Sequence, residues 1–315
     1  MVVNSAWLST PSLHAGVEMG EGKPAGETSR GYLYAIIGSV CGGAQPTIIK
    51  ILLGNNSPVT ITGLSFVLSG LMLILYNPMA KPAKGSIAYI VVFGLVGALV
   101  APLAFIIGLS ETTAVNASLL ANGEILFTTI IAYSVFGERL SRAQATRGIL
   151  IVVGIVVVST NLSLAHVEFA QGLLGNALIL GSTMGWAVEN NLIAVATRRF
   201  DVSSLSKFRN LLGGVVLSSF ALVAGIPFGF TPFDMFALVL LAVCVSVATY
   251  MFMAALKRLG AIRMLLVWST STVFGAFFAL VFLGEQITVA QLAGGACILS
   301  GVYLFRRSER PMYVP

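Results

Sequence analysis

Apolar residues run through this chain in blocks of about 20, the length that carries a helix across a roughly 30 Å hydrocarbon core. The pattern predicts ten membrane-spanning helices, at 31–52, 58–78, 85–108, 112–135, 146–161, 172–197, 205–225, 234–256, 261–283 and 289–305, joined by short polar connections. Nearly every face of these helices is apolar, so the pattern places the spans without saying which face lines an interior. Composition points the same way: of 315 residues, 57% are hydrophobic and 10% charged, and the mean hydropathy is +0.94. The chain is read as an all-α integral membrane protein whose partner is the lipid bilayer. Residues 1–30 lack the apolar core of a signal peptide and are expected to form a disordered cytoplasmic tail, with 307–315 as a second cytoplasmic tail. Met19 is an alternative start, and N-terminal sequencing of the native protein decides whether residues 1–18 belong to it.

Charge sets the orientation. With ten spans and a cytoplasmic N-terminus, 17 of the 18 Lys and Arg residues fall on the cytoplasmic side, and Lys50 is the exception. The opposite connections, near 53–57, 109–111, 162–171, 226–233 and 284–288, hold no Lys or Arg. Such one-sidedness is what the positive-inside rule demands, and one span more or fewer would destroy it. The basic pI of about 9.4 therefore reports topology, and nucleic acid is not an expected partner. Cys41, Cys244 and Cys297 fall inside spans with no metal-ligand spacing and read as packing residues. The two histidines, His14 and His166, lie in a tail and a loop, which argues against intramembrane metal or His-based catalysis.

The chain also repeats itself. Phe136 to Val157 and Leu283 to Leu304 share seven identities in 22 positions, among them Gly137/Gly284, Glu138/Glu285, Ala143/Ala290 and Gln144/Gln291. Gly38 to Ala44 (GSVCGGA) is echoed at Gly181 to Ala187 (GSTMGWA), which pairs the small-xxx-small sets Gly38/Gly42 and Gly181/Gly185. Two halves of five spans each, 31–161 and 162–306, must then sit upside down relative to each other, because five is odd. Inverted halves can exchange conformations and open a midplane site to one side and then the other. Pro46 and Pro102 can bend their helices.

These span–GE–span units resemble those of the drug/metabolite transporter superfamily, in its ten-helix EamA-like branch. Gly137-Glu138-Arg139-Leu140 is similar to that family's GER-L turn, Gly284-Glu285-Gln286-Ile287 is its partner, and Ala143-Gln144 and Ala290-Gln291 follow at the family's distance. The likeness covers roughly residues 31–306. It implies a central cavity bounded by spans 1–4 and 6–9, peripheral spans 5 and 10, and secondary transport, often export of metabolites. Where the family usually shows Glu-Pro in span 4, this chain has Glu124-Ile125, so a less kinked helix is expected there.

Glu124 is the residue that most needs a reason. A carboxylate near the bilayer centre costs a few kcal/mol and faces a cavity or a partner. One that takes either a proton or a cationic group, but not both, would couple proton entry to export. Structurally, it would instead be a protonated side chain bonded to Asn122, Asn116 or a nearby hydroxyl. The repeat places Ser271 opposite it. Gln45 and Trp186 fall in the echoed segments, and Tyr250 and Trp268 offer aromatic walls for an amine, with ordinary packing as the plainer role. Glu189 and Arg209 enter from the cytoplasmic side and are expected either to pair or to serve an inner gate. Lys50 lies too near the outer end to reach Glu124, and either snorkels to the interface or contacts substrate in an outer vestibule.

The expected function is a secondary active transporter exporting small zwitterionic or cationic metabolites, amino acids or amines, by proton-coupled alternating access. It is expected in a cell inner membrane with both termini cytoplasmic. No enzyme activity and no cofactor or metal is called for. A second copy of the chain stands as an open partner. A sugar-phosphate or nucleotide-sugar antiporter is the main alternative, although phosphates want deep cations and the core offers carboxylates instead. A membrane sensor or scaffold without transport is the other.

Overall fold

The computed structural model describes residues 25–136, 142–160 and 168–306. Expectations placed on the remaining residues, among them Gly137, Glu138, Arg139, Leu140, His14 and His166, lie outside the described residues. The described chain is all helical: α1 (Ala25–Leu52), α2 (Pro58–Tyr76), α3 (Ile87–Val92), α4 (Ala101–Ser110), α5 (Ala114–Leu120), α6 (Gly123–Phe136) and α7 (Arg142–Thr160) precede residue 161. They are followed by α8 (Glu168–Arg199), α9 (Val202–Val223), α10 (Pro232–Leu259), α11 (Ala261–Trp268), α12 (Ser271–Phe278) and α13 (Val289–Arg306). The helix α1 begins before the apolar block at 31, with Glu27 in its first turn, where a carboxylate complements the helix dipole. Part of the tail expected to be disordered is therefore helical.

Among the described residues, six segments are long and apolar enough to cross a membrane: Glu27–Leu52, Pro58–Tyr76, Lys84–Ser110, Ala114–Ile131, Pro232–Leu259 and Arg263–Leu283. Gly148–Val158 and Val289–Leu304 are shorter apolar helices. The long helices α8 and α9 are less apolar because they carry Asn176, Glu189, Asn190, Lys207, Arg209 and Asn210, all of them buried in the bundle. Their polar groups face protein, where partners exist, instead of lipid, where none do.

The main helix pairs are α1 with α10, α2 with α9, α4 with α8, and α7 with α13, and each joins an element before residue 161 to one after it. Glycines set how closely they cross. A Cβ on Gly154 of α7 would stand 2.6 Å from the Gly294 carbonyl oxygen of α13, and one on Gly294 2.9 Å from that of Gly154. The matched glycines of the sequence echo meet different neighbours. Gly38 and Gly42 make a seat for the Trp268 ring, with would-be Cβ distances of 3.2 and 3.0 Å, whereas Gly185 abuts Ala101 and Gly181 faces open space.

Two rods are interrupted at corresponding places. Between α5 and α6, Asn122 N–H bonds Leu119 O (3.2 Å), Glu124 N–H bonds Ala121 O (3.1 Å) and Ile125 N–H bonds Asn122 O (3.1 Å), all tightened to the i−3 pattern. The cause is local: Asn122 Nδ2 donates to Leu119 O at 3.1 Å, competing with the backbone ladder. The helix expected to be straighter for want of a proline is thus broken by its asparagine. In the second half Ser269 Oγ donates to Leu266 O at 2.7 Å between α11 and α12. The 147-residue offset of the repeat carries Asn122 onto Ser269 and Leu119 onto Leu266. The breaks also touch, since Asn122 Nδ2 donates to Thr272 Oγ1 (2.5 Å) and Thr272 Oγ1 to Ser118 O (2.9 Å).

Candidate functional site

A cavity of about 170 Å³ lies between the helices, and among the described residues its walls come from α1, α2, α4, α5, α6, α8, α9, α10, α11 and α12, and not from α7 or α13. Glu124 reaches it from the first turn of α6, directly after the break, and is only 7% exposed. Its partner is Asn190 of α8, whose Nδ2 donates to Glu124 Oε1. Neither Asn122 nor Asn116, the partners expected from the sequence, fills that role. Asn122 is taken up by Leu119 and Thr272, and Asn116 Nδ2 donates to Thr112 Oγ1 at 3.2 Å. No other donor to the Glu124 carboxylate is found among the described residues.

Arg209 and Glu189 form a buried ion pair on the same cavity. Arg209 Nε donates to Glu189 Oε1 at 2.5 Å and Nη2 to Oε2 at 2.9 Å, with Nη1 on Asn210 Oδ1 at 2.7 Å. Nη2 also donates to Gly97 O at 2.7 Å, as does Trp186 Nε1 at 3.3 Å. That carbonyl is available for a reason written in the sequence. Phe93–Val100 winds as π-helix, so Ala101 N–H goes to Val96 O, and the next residue, Pro102, has no N–H to give Gly97. The guanidinium, with five N–H donors, makes four bonds to protein and has its charge matched by Glu189.

Aromatic rings supply much of the remaining wall. Trp186 packs on Phe105 with centroids 5.5 Å apart, and Trp268 stands edge-on to Phe252 at 4.9 Å. Gln45 and Ser271 line the cavity as well. Three of the residues singled out in the sequence do not: Asn122, whose amide is taken up by Leu119 and Thr272, Tyr250 and Lys50. Tyr250 turns to Tyr76, ring centroids 5.3 Å apart, and its neighbour Thr249 lines the cavity instead. Lys50 donates to the Leu109 and Thr112 carbonyls, at 2.8 and 2.6 Å, and so ties α1 to the end of α4. Sequence reasoning missed Asn190, a direct neighbour of Glu189 with no pattern to mark the face it presents, and Gly97, whose signal was the proline five residues later.

A model of EamA-like transporters matches this chain twice, over residues 29–160 and again over 173–307. The chain belongs to the EamA-like transporter family. It is a multi-pass membrane protein of the transporter class. An uncharacterized transporter of Methanothermobacter thermautotrophicus is 28% identical to this EamA-like chain over 87% of its length and 85% of the relative's. A probable amino-acid metabolite efflux pump of Salmonella typhimurium is also 28% identical, over 86% of this chain and 92% of that protein. A solved crystal structure superposes with a TM-score of 0.66 at 17% identity, covering 90% of this chain and 99% of its own, which shows a shared fold.

Proposed function

We propose that this EamA-like protein is a secondary active transporter that exports small cationic or zwitterionic metabolites, amines or amino acids, in exchange for protons. In this reading ten spans form two inverted halves, 31–161 and 162–306, in a cell inner membrane with both termini cytoplasmic. The pairing of the helices supports the inverted arrangement. Exchanging the halves turns α1 into α8 and Lys84–Ser110 into α10, so the α1–α10 contact becomes the α8–α4 contact. The same exchange turns α6–α8 into α12–α1 and leaves α2–α9 and α7–α13 unchanged, and all of these pairs are in contact.

The observation that carries the substrate class is the unequal state of the cavity's charges. Arg209 is bonded to Glu189, Asn210 and Gly97, whereas among the described residues Glu124 has only the Asn190 amide. A buried carboxylate with an unfilled oxygen takes up either a proton or an ammonium group. The rings of Trp186 and Trp268 favour a cation beside them and an apolar body on it. A phosphate-bearing substrate would find Arg209 already neutralised by Glu189, which disfavours the antiport of sugar phosphates. The efflux-pump name of the Salmonella relative agrees with an amino-acid-like cargo.

The test is a panel of amino acids, amines and sugar phosphates in proteoliposomes, each with and without an imposed pH gradient, for wild type and Glu124→Gln. Uptake of an amine or amino acid should follow the gradient in the wild type and lose that dependence in the variant. Transport indifferent to the gradient, or unchanged by the substitution, sinks the coupling role of Glu124.

A further inference from the structure

The proposed exchange does not use the second GE turn, yet the structure gives it a specific job. Gly284 ends the segment Arg263–Leu283 in the left-handed region, φ +65°, a conformation glycine adopts without strain. The chain then turns so that Glu285 reaches a different rod. Its Oε1 accepts from Ala114 N–H at 2.8 Å and its Oε2 from Val115 N–H at 2.9 Å, the first two amides of α5. Thr113 Oγ1 accepts from the third, Asn116 N–H, at 3.1 Å. Three of the four amides that a helix start leaves unpaired are therefore satisfied, two of them from across the bundle.

Further ties converge on the same corner, residues 109–116. Lys50 of α1 donates to its carbonyls, as described above. Gln291 of α13 donates to Asn116 Oδ1 at 2.7 Å, and Thr112 Oγ1 donates to Asn176 Oδ1 of α8 at 3.0 Å. The corner that joins α4 to α5 is thus clasped by three other elements at one end of the bundle. From it α5 runs only seven residues before the break beside Glu124, and Ser118 on α5 already lines the cavity.

We infer that Glu285 is the latch of a gate at the Lys50 end of the molecule, a positioning residue that keeps this end closed by holding α5, and whose release lets the cavity open there. The inference rests on the transport reading, and it adds the device that makes access alternate. Opening at the Lys50 end requires the 109–116 corner to leave α1, α8, α13 and the 284–288 turn. Because α5 is short and ends at the break, its displacement moves the wall that carries Ser118 and Glu124. Occupancy of Glu124 and closure at Glu285 are then two ends of one lever, which is the differential contact a gated transition needs.

The experiment uses the full chain in membrane vesicles with Cys41, Cys244 and Cys297 replaced by alanine and Ser271→Cys as a cavity reporter. A membrane-impermeant maleimide is applied from each side. Glu285→Ala and, separately, Gln291→Ala should raise labelling from the Lys50 side on the order of tenfold for Glu285, the factor expected when a charge-assisted hydrogen bond's worth of closing energy is lost. Labelling from the opposite side should fall in the same variants, a redistribution that general loosening would not produce. Gln291→Ala keeps the inference testable if Glu285→Ala does not fold. Labelling from the Lys50 side that stays unchanged in both variants, or rises equally from both sides, overturns the latch. Failure of the unmodified protein to move any amine or amino acid would count against the transport reading, and the labelling would still decide the latch.

Discussion

Arg209 and Glu124 sit on one cavity and are treated very differently by their surroundings. Arg209 is held by four hydrogen bonds, two of them to Glu189, and stacks over Phe66 at 5.8 Å. Removing one partner of a buried pair leaves the other charge uncompensated, at a cost of about 3–5 kcal/mol, whereas replacing both by apolar residues is often near neutral. Arg209→Met and Glu189→Met should therefore each lower the thermal unfolding midpoint in detergent sharply, and the double variant should recover most of the loss. Additive losses would mean that the pair is not the unit it looks to be. Arg209→Lys should rescue poorly, because a compact ammonium cannot hold Glu189 through two bonds and reach Gly97 and Asn210 together. The sequence made the nearness of Glu189 and Arg209 legible, since both enter from one side across a short connection. It could not show that Asn190, and not Asn122, would meet Glu124: on helices apolar nearly all round, no stripe marks the inward face.

At the scale of elements, the broken rods carry the site. The chain lacks the proline that the resemblance expects after Glu124, and reading that absence as a straighter helix overlooked a second way to break one. An asparagine or serine that bonds the carbonyl three residues back tightens the turn just as locally, and Asn122 and Ser269 do so at matching positions. Asn122→Ala removes the bond to Leu119 O and the link to Thr272 while leaving an apolar side chain that favours helix. Amide hydrogen exchange over residues 119–125 should slow as the pinch relaxes toward regular α-helix, and transport should fall by about an order of magnitude, equivalent to ~1.4 kcal/mol at the barrier. If exchange and transport both match the wild type, the break is held by packing and Asn122 is incidental. The π-helical turn at Phe93–Val100 is a parallel case. A Cβ at Gly97 would collide with the Glu189 carboxylate, so Gly97→Ala should displace Glu189 and weaken its pairing with Arg209. Loss of stability in Gly97→Ala that vanishes in a Glu189→Met background would identify that collision as the cause.

For the whole molecule, division of labour follows from which helices meet the cavity. Transport that alternates between two faces needs the cavity walls to move against something that stays put. Among the described residues the α7–α13 pair contributes nothing to the cavity lining, and it crosses where Gly154 and Gly294 bring the two backbones together. Through this contact the chain before residue 161 is joined to the chain after it. These helices were also the most legible in the sequence, because their packing glycines fall inside the repeated stretch Phe136 to Val157 and Leu283 to Leu304, where likeness between the halves is densest. The cavity walls diverge between the halves, as Glu124 against Ser271 illustrates, and repeat matching says least there. Stability and function should accordingly separate. Gly154→Val would push a side chain against the Gly294 carbonyl, 2.6 Å from where its Cβ must go. Such overpacking costs about 1–3 kcal/mol, because neither helix can back away without opening the rest of the pair. The unfolding midpoint in detergent should drop, while the transport rate per folded molecule stays at the wild-type value, since no wall of the cavity has changed. A Gly154→Val protein of normal stability would show that the two helices slide freely past each other. One that folds fully but transports slowly would show that the pair takes part in the motion and that fastening and transport are not divided between helices in this way.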